Sequence, residues 1–263
     1  MGFVKTTDEV ARLQETLAAP RFVGAEMLMV EFLTEPEIVE RVLPPGLEPA
    51  DEPRVTAMVG RWRSNCVADF AGGALYVAAR RDEIEADYVL CMFMDTDAAI
   101  IFGRDLFGEP KKQAASRLHR RGDRAWGYVE RHGVRLIEIS ADLTEDLGPV
   151  QVHGANFNVK AQPAASGVGL EHDAVLTLAE FDNTLLVNRE GTGTLTLRGT
   201  VHDPLDEIEI AEVRRSAYIE GDLISSCRAL ATIPADDFLP YALGRLDDWT
   251  ALDTERAAAL SRA

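Results

Sequence analysis

Apolar positions along this 263-residue chain fall mostly into short runs, several of them alternating, rather than into long helical stripes. Residues 8–18 place Val10, Leu13 and Leu17 on one side and predict a helix. Met27–Phe32 predicts a strand. Residues 34–43 predict a second helix, with Pro36 in its first turn and an end at Pro44-Pro45-Gly46. β-like runs follow at Val55–Val59, Leu75–Ala79, Tyr88–Met94 and Ala98–Phe102. Trp126–Glu130 and Val134–Ile139 flank Arg131-His132-Gly133 and predict a hairpin. Further strands are expected at Val175–Leu178, Leu185–Val187, Gly193–Leu197 and Ile208–Ile219, then a late helix over 236–246. Thr250–Ala263 is alanine-rich and reads as a surface helix or frayed tail. Many short strands and few helices predict an α+β, β-rich sheet or barrel with peripheral helices. The expected organisation is one domain over residues 1–250 and a C-terminal tail over 251–263.

Composition narrows the function classes. No run approaches the roughly 18 apolar residues of a membrane helix, and the acidic N-terminus lacks the apolar core of a secretory signal, so a cytoplasmic protein is expected. The formal net charge of −17 opposes nucleic acid and anionic membranes as partners. It also obliges any acid-binding pocket to carry local positive charge. Cys66, Cys91 and Cys227 lack paired spacing, and the five histidines show no ligand spacing, so neither a disulfide framework nor a metal site is indicated. Gly191-Thr-Gly-Thr continues as a strand and is a weak nucleotide signal.

The basic residues are more informative. Of the 27, only Lys5, Lys111, Lys112 and Lys160 are lysines, and two of those four are adjacent. Arginine serves surface pairing as well as lysine but cannot surrender its proton. An amine attacking a ketone forms an iminium that stabilises a neighbouring carbanion for decarboxylation or aldol chemistry. At a free pKa of about 10.4, roughly one lysine in 2,500 is neutral at pH 7, and only burial or a nearby cation raises that fraction. The apolar residues Ile100–Phe102 and Leu106-Phe107 supply candidates for a dry wall. Neighbours on a strand point to opposite faces, so Lys112 should help less than its position suggests. On these two residues alone, a solvated pair beside a turn is the more ordinary explanation, and the scarcity of lysine only brings the two readings level.

The surrounding block decides between them. Asp87-Tyr-Val-Leu-Cys-Met-Phe-Met-Asp95, followed by Ala98-Ala-Ile-Ile-Phe-Gly-Arg-Asp-Leu-Phe-Gly-Glu-Pro-Lys-Lys112, resembles the core of the acetoacetate decarboxylase family. Weaker likeness extends over Leu43-Pro-Pro-Gly-Leu47, Asp51-Glu-Pro53 and Asn156–Lys160, about residues 20–245 in all. The family is itself a known instance of lysine activation. The resemblance implies a β-barrel or cone of mostly antiparallel strands and a homo-oligomer, with Lys111 as Schiff-base nucleophile, Lys112 as its companion, and no metal or organic cofactor.

The chain also departs from the family pattern. Where the family carries a carboxylate-binding arginine ahead of the first core strand, it has Val23-Gly-Ala-Glu26, with Arg21 nearby. Family glutamates fall at Ala57-Met58 and near Asp69-Phe70, where Asp69 is the one replacement. These departures favour aldolase–dehydratase chemistry on a small 2-oxo or 3-oxo acid over decarboxylation. Glu109, two residues from Lys111, is the candidate proton shuttle, or else a solvent-facing turn residue. Arg61 and Arg63 share a strand face and are candidates for binding the substrate carboxylate, or for a surface salt bridge. Tyr241 is a candidate proton donor or a packed core tyrosine. A cyclase or isomerase on the same fold, and a non-catalytic ligand-binding protein, are the competing readings.

Overall fold

The computed structural model describes residues 2–250, so the expected tail over 251–263 lies outside the described residues. Its organising feature is a closed barrel of seven strands. In chain order these are β1 (Arg21–Leu33), β3 (Arg54–Ser64), β4 (Ala68–Arg81), β5 (Ile84–Met94), β10 (Val150–Lys160), β11 (Ala174–Leu197) and β12 (Glu212–Ile233). Around the barrel the order is β10-β5-β4-β3-β1-β12-β11, and β10 pairs again with β11 to close the ring. All neighbours run antiparallel except β5 and β10, which meet in parallel at Asn156↔Asp87 and Phe157↔Tyr88. Closure removes sheet edges that would otherwise be free to pair with other chains.

The strands are apolar on both faces because both are covered. On β3, Val55, Ala57 and Val59 face outward, while Thr56, Met58 and Trp62 face the barrel interior. The outward face is covered by β7 (Ala115–Arg121), β8 (Arg124–Arg131) and β9 (Val134–Asp146), which extend from the far half of β11. Contact between the layers is close: a Cβ on Gly127 would press on Val59, and one on Gly73 would overlap Val129. Val129, Leu136, Ile137 and Ile139 are fully buried there, each worth about 1.5–3 kcal/mol relative to exposure.

The peripheral pieces are short. They are α1 (Thr7–Ala18), α2 (Pro36–Val42), β2 (Glu48–Pro49), α3 (Asp97–Phe102), β6 (Lys111–Gln113) and α4 (Ala235–Gly244). A capping box between Thr6 and Glu9 opens α1. No helix among the described residues is long and apolar enough to cross a membrane.

Three local expectations need correction. Ala98–Phe102 is helical, not a strand: Thr96 caps Ala99 N–H at 3.4 Å, and such a cap outweighs a short apolar run that is ambiguous by itself. The three strands expected between 175 and 197 are one, β11, held continuous by β12 from Ala174 to Gly191 and by β9 from there to Leu197. The strand expected over Ile208–Ile219 begins at Glu212 and runs on to Ile233.

Candidate active site

The chain reaches Lys111 through an unusual turn. After α3, residues Gly103–Phe107 form one π-helical turn, a form enriched at functional sites. It ends at Gly108, where φ is +82°. The Gly108 N–H donates to the Gly103 carbonyl at 2.9 Å, and a Cβ there would collide with the Lys160 backbone. Only glycine satisfies both demands. Thr177 Oγ1 donates to the Phe107 carbonyl at 2.6 Å, and Arg104 donates to the Lys111 carbonyl at 3.1 Å. The turn is thereby tied to β11 and to β6.

β6 then pairs in parallel with β5, setting Lys111 beside Met92 and Lys112 beside Phe93. Paired residues share a face, so Lys111 enters the barrel with Met92 while Lys112 leaves it with Phe93. A one-residue bulge where Leu90 falls between paired positions puts Asp87 inside the barrel together with Met92 and Met94.

The interior is a cavity of about 280 Å³. Lys111 is 6% exposed and Glu109 8% exposed, and Lys111 Nζ lies 2.7 Å from Glu109 Oε2. The ammonium sits 5.9 Å from the Phe70 ring centroid, and Phe70 stacks on Trp62 at 5.1 Å. Gly103 backs the pair so closely that any Cβ would overlap both the Glu109 carboxylate and the Lys111 stem. Burial pushes the Tyr76 phenol up, and the charges of Glu109 and Asp87 push it further, so it stays protonated. Burial likewise raises the Asp87 carboxyl despite Arg54 at 3.0 Å. Glu109, Lys111 and Asp87 are the ionic side chains in the lining, and among the described residues no arginine joins them.

Several residues singled out in the sequence lie elsewhere. Lys112 Nζ contacts Asp203 at 2.8 Å, Asp247 at 3.3 Å and the His202 carbonyl at 2.8 Å, and Arg131 bridges the same two aspartates at 2.5 Å. Its charge is neutralised behind the sheet. Arg61 and Arg63 lie on the face of β3 opposite Met58 and Trp62, where Arg61 meets Glu26 at 2.7 Å and Arg63 meets it at 3.8 Å. Tyr218 donates to that glutamate at 2.9 Å. Strand alternation is the reason neither guanidinium lines the cavity. Asp69 is exposed while its neighbour Phe70 turns inward. Tyr241 stacks on Phe238 at 5.8 Å and packs on the core outside the barrel.

Sequence reasoning passed over Gly103, Tyr76 and Asp87 as site residues. Alternation along β4, with Phe70, Ala74 and Tyr76 on one face, was a usable signal for Tyr76. The bulge at Leu90 concealed Asp87.

The class of protein that the fold and site define is a closed barrel whose interior, among the described residues, carries one buried basic side chain paired with a carboxylate and walled by apolar side chains. The chain belongs to the acetoacetate decarboxylase (ADC) family, whose model matches residues 9–231. Among curated relatives, acetoacetate decarboxylase of Burkholderia vietnamiensis is 24% identical over 210 residues, covering 77% of this chain and 84% of that protein. Among solved structures, acetoacetate decarboxylase of Legionella pneumophila superposes with a TM-score of 0.74 at 23% identity, covering 81% of this chain and 87% of that one. The enduracididine biosynthesis enzyme MppR, complexed with the condensation product of pyruvate and imidazole 4-carboxaldehyde, gives 0.71 at 18% identity, covering 81% and 89%. An acetoacetate decarboxylase-like enzyme from Sphingomonas wittichii RW1 gives 0.71 at 22%, covering 82% and 94%.

Proposed function

We propose that the protein is a carbon–carbon lyase that works through a Schiff base on Lys111, with a small oxo acid as its carbonyl substrate and aldol addition followed by dehydration as its reaction. The observation that carries this reading is the position of Lys111. It is the one basic side chain among the described residues lining the cavity, it is buried, and Glu109 stands 2.7 Å from its nitrogen. An amine held in an apolar wall next to a proton acceptor is equipped to attack a carbonyl and pass its proton on.

In this reading Glu109 accepts the proton Lys111 must lose. It then shuttles protons on and off the carbon next to the iminium. Tyr76, held protonated, is placed to donate to an oxygen in the cavity. Lys112 is not part of the chemistry but an anchor for β6.

Decarboxylation is the less favoured outcome for a physical reason. On the strands where the family carries glutamates, the side chains facing the cavity are Met58 and Phe70. Among the described residues no arginine lines the cavity to hold a substrate carboxylate. The MppR complex named above contains a pyruvate–aldehyde condensation product, which supports the aldol assignment by analogy of fold alone.

Borohydride reduction in the presence of pyruvate, followed by peptide mass mapping, tests the reading. The expected result is a lactyl-type mass increment on Lys111, absent from Lys111→Arg. Failure of pyruvate, acetoacetate and other oxo acids alike to leave an adduct on Lys111 would sink it.

A further inference from the structure

Two guanidiniums back the turn that carries Lys111, on the outside of the barrel wall. Six arginines among the described residues are half-buried: Arg54, Arg81, Arg104, Arg131, Arg189 and Arg245. Four of them meet an aspartate at 3.7 Å or less, Arg54 at Asp87, Arg81 at Asp82, Arg131 at Asp203 and Arg189 at Asp123. Arg104 and Arg245 have no carboxylate within 4.0 Å among the described residues. In a chain of net charge −17 acids are plentiful, so this pair stands apart. A cation taken partly out of water without a counter-charge carries a desolvation cost that nothing offsets.

Both arginines border one small cavity of about 30 Å³, Arg104 from the π-helical turn and Arg245 from the end of α4. Arg104 Nη1 donates to the Lys111 carbonyl at 3.1 Å. Arg245 donates to the Val159 carbonyl at 2.5 Å, to the Gly108 carbonyl at 3.4 Å and to the Tyr88 hydroxyl at 3.2 Å. All of these acceptors are neutral. A guanidinium carries five N–H groups, so both side chains keep donors to spare, Nε and Nη2 on Arg104 and Nε on Arg245. Burial and the charge of Arg245 both work against the Arg104 cation, and the exposed Asp105 opposes them only in part. Glu109 borders the same cavity, but its Oε2 lies 2.7 Å from Lys111 Nζ and is engaged there.

Sign and size together select an occupant. Converging guanidinium donors call for an anion. A cavity needs roughly 10–15 Å³ to hold one water, so one of about 30 Å³ takes a single monatomic ion and excludes an oxo acid or a phosphate. Pro110 and Pro163 also border it, and neither has an N–H for the further oxygens of an oxyanion.

We infer that Arg104 and Arg245 together bind a halide ion, chloride under ordinary conditions, which braces the segment from Gly108 to Lys111 from behind. One arginine holds the carbonyl at the start of that segment and the other holds the carbonyl at its end. An anion shared by the two cations removes their repulsion and ties the two grips together. The four residues that carry Glu109 and Lys111 are thereby fixed as a unit. The site lies outside the barrel, has its own lining, and does not depend on the Schiff-base reading of Lys111.

The test melts the wild-type protein in about 0.2 M chloride and in gluconate at the same ionic strength, so that screening is equal in both. A melting temperature at least about 2 °C higher in chloride is expected. Arg104→Gln and Arg245→Gln should each lose that difference. Arg121→Gln, which removes an exposed arginine on β7, should keep it, and so should Lys111→Gln. Crystals of the wild type soaked in bromide give a reading that needs no variant to fold: an anomalous peak between the two guanidiniums is expected. Equal melting of the wild type in chloride and gluconate overturns the site, as does a difference that either Arg104→Gln or Arg245→Gln retains. Loss of the difference in Lys111→Gln would place the ion inside the barrel and overturns it equally. So does a bromide-soaked crystal with no peak at the pair.

Discussion

Gly103 and Glu109 fix the position of the Lys111 amine as much as the lysine's own strand does. A methyl group at Gly103 has no free space, since it would overlap both partners of the pair. Gly103→Ala is therefore expected to displace the amine by a sizeable fraction of an ångström. Misplacement on that scale costs reactions of oriented groups about 100-fold, so kcat should fall by that order in a steady-state assay. The glycine does not need a positive φ there, so the melting temperature should change far less than activity. Glu109→Gln keeps the shape but removes the proton acceptor. A loss of 10²–10⁴-fold in kcat is expected, with a slowed approach to the borohydride-trapped adduct rather than its abolition. At this scale much was legible in the chain: Lys111, Glu109 and the Gly-Glu-Pro-Lys-Lys context all drew attention from sequence. The tight backing by Gly103 was not, because it arises from the side chains curling back over a turn.

At the scale of elements, β6 poses a question of register. It has only three residues, and a slip of one would exchange Lys111 for Lys112 in the barrel. The grip of Asp203, Asp247 and the His202 carbonyl on Lys112 opposes that slip. Asp203 is 4% exposed and serves Arg131 as well, so Asp203→Asn leaves two buried cations short of a partner. A stability loss of about 3–5 kcal/mol is expected from denaturant titration. Peptide mapping after trapping should then find part of the label on Lys112, which a merely destabilised β6 in the correct register would not show.

Asp247 gives the same cluster a pH signature. Burial works to raise its carboxyl, but the Arg131 hydrogen bond and the Lys112 charge outweigh this and hold it at about 2, below its ordinary 3.8. A depressed acid contributes stability above its unfolded pKa and loses it as pH falls through the folded one. The stability difference between wild type and Asp247→Asn should be constant above about pH 5. It should shrink between pH 3.8 and about 2, as read by urea midpoints.

For the molecule as a whole, the net charge of −17 repels any anionic substrate on approach. The screening length falls from about 30 Å at 0.01 M salt to about 10 Å at 0.1 M. The kcat/KM for an oxo acid is expected to rise several-fold over that range, while a neutral ketone forming the same imine should show little change. A flat response for both would mean that the field at the barrel mouth does not follow the net charge. The barrel itself was foreseen as a class from the short-strand pattern and the family resemblance. Which strands close it was not, because that depends on the brief parallel seam of β5 with β10, a strand whose polar residues His153, Asn156 and Asn158 hide its alternation.

The sequence by itself determined the local facts: a β-rich chain, a scarce and paired lysine, the family block around it, and the absence of an arginine where the family carries one. These are properties of neighbouring residues, and neighbours are visible in one dimension. Tertiary structure alone decided which lysine faces the cavity, because that depends on the partner strand and on acids 90 or more residues away in the chain. It also decided that five scattered methionines, Met27, Met29, Met58, Met92 and Met94, line one cavity, and that Arg61 and Arg63 serve Glu26 rather than the cavity. Inside and outside of a barrel differ by a single residue step along each strand, and only closure of the ring says which step is which.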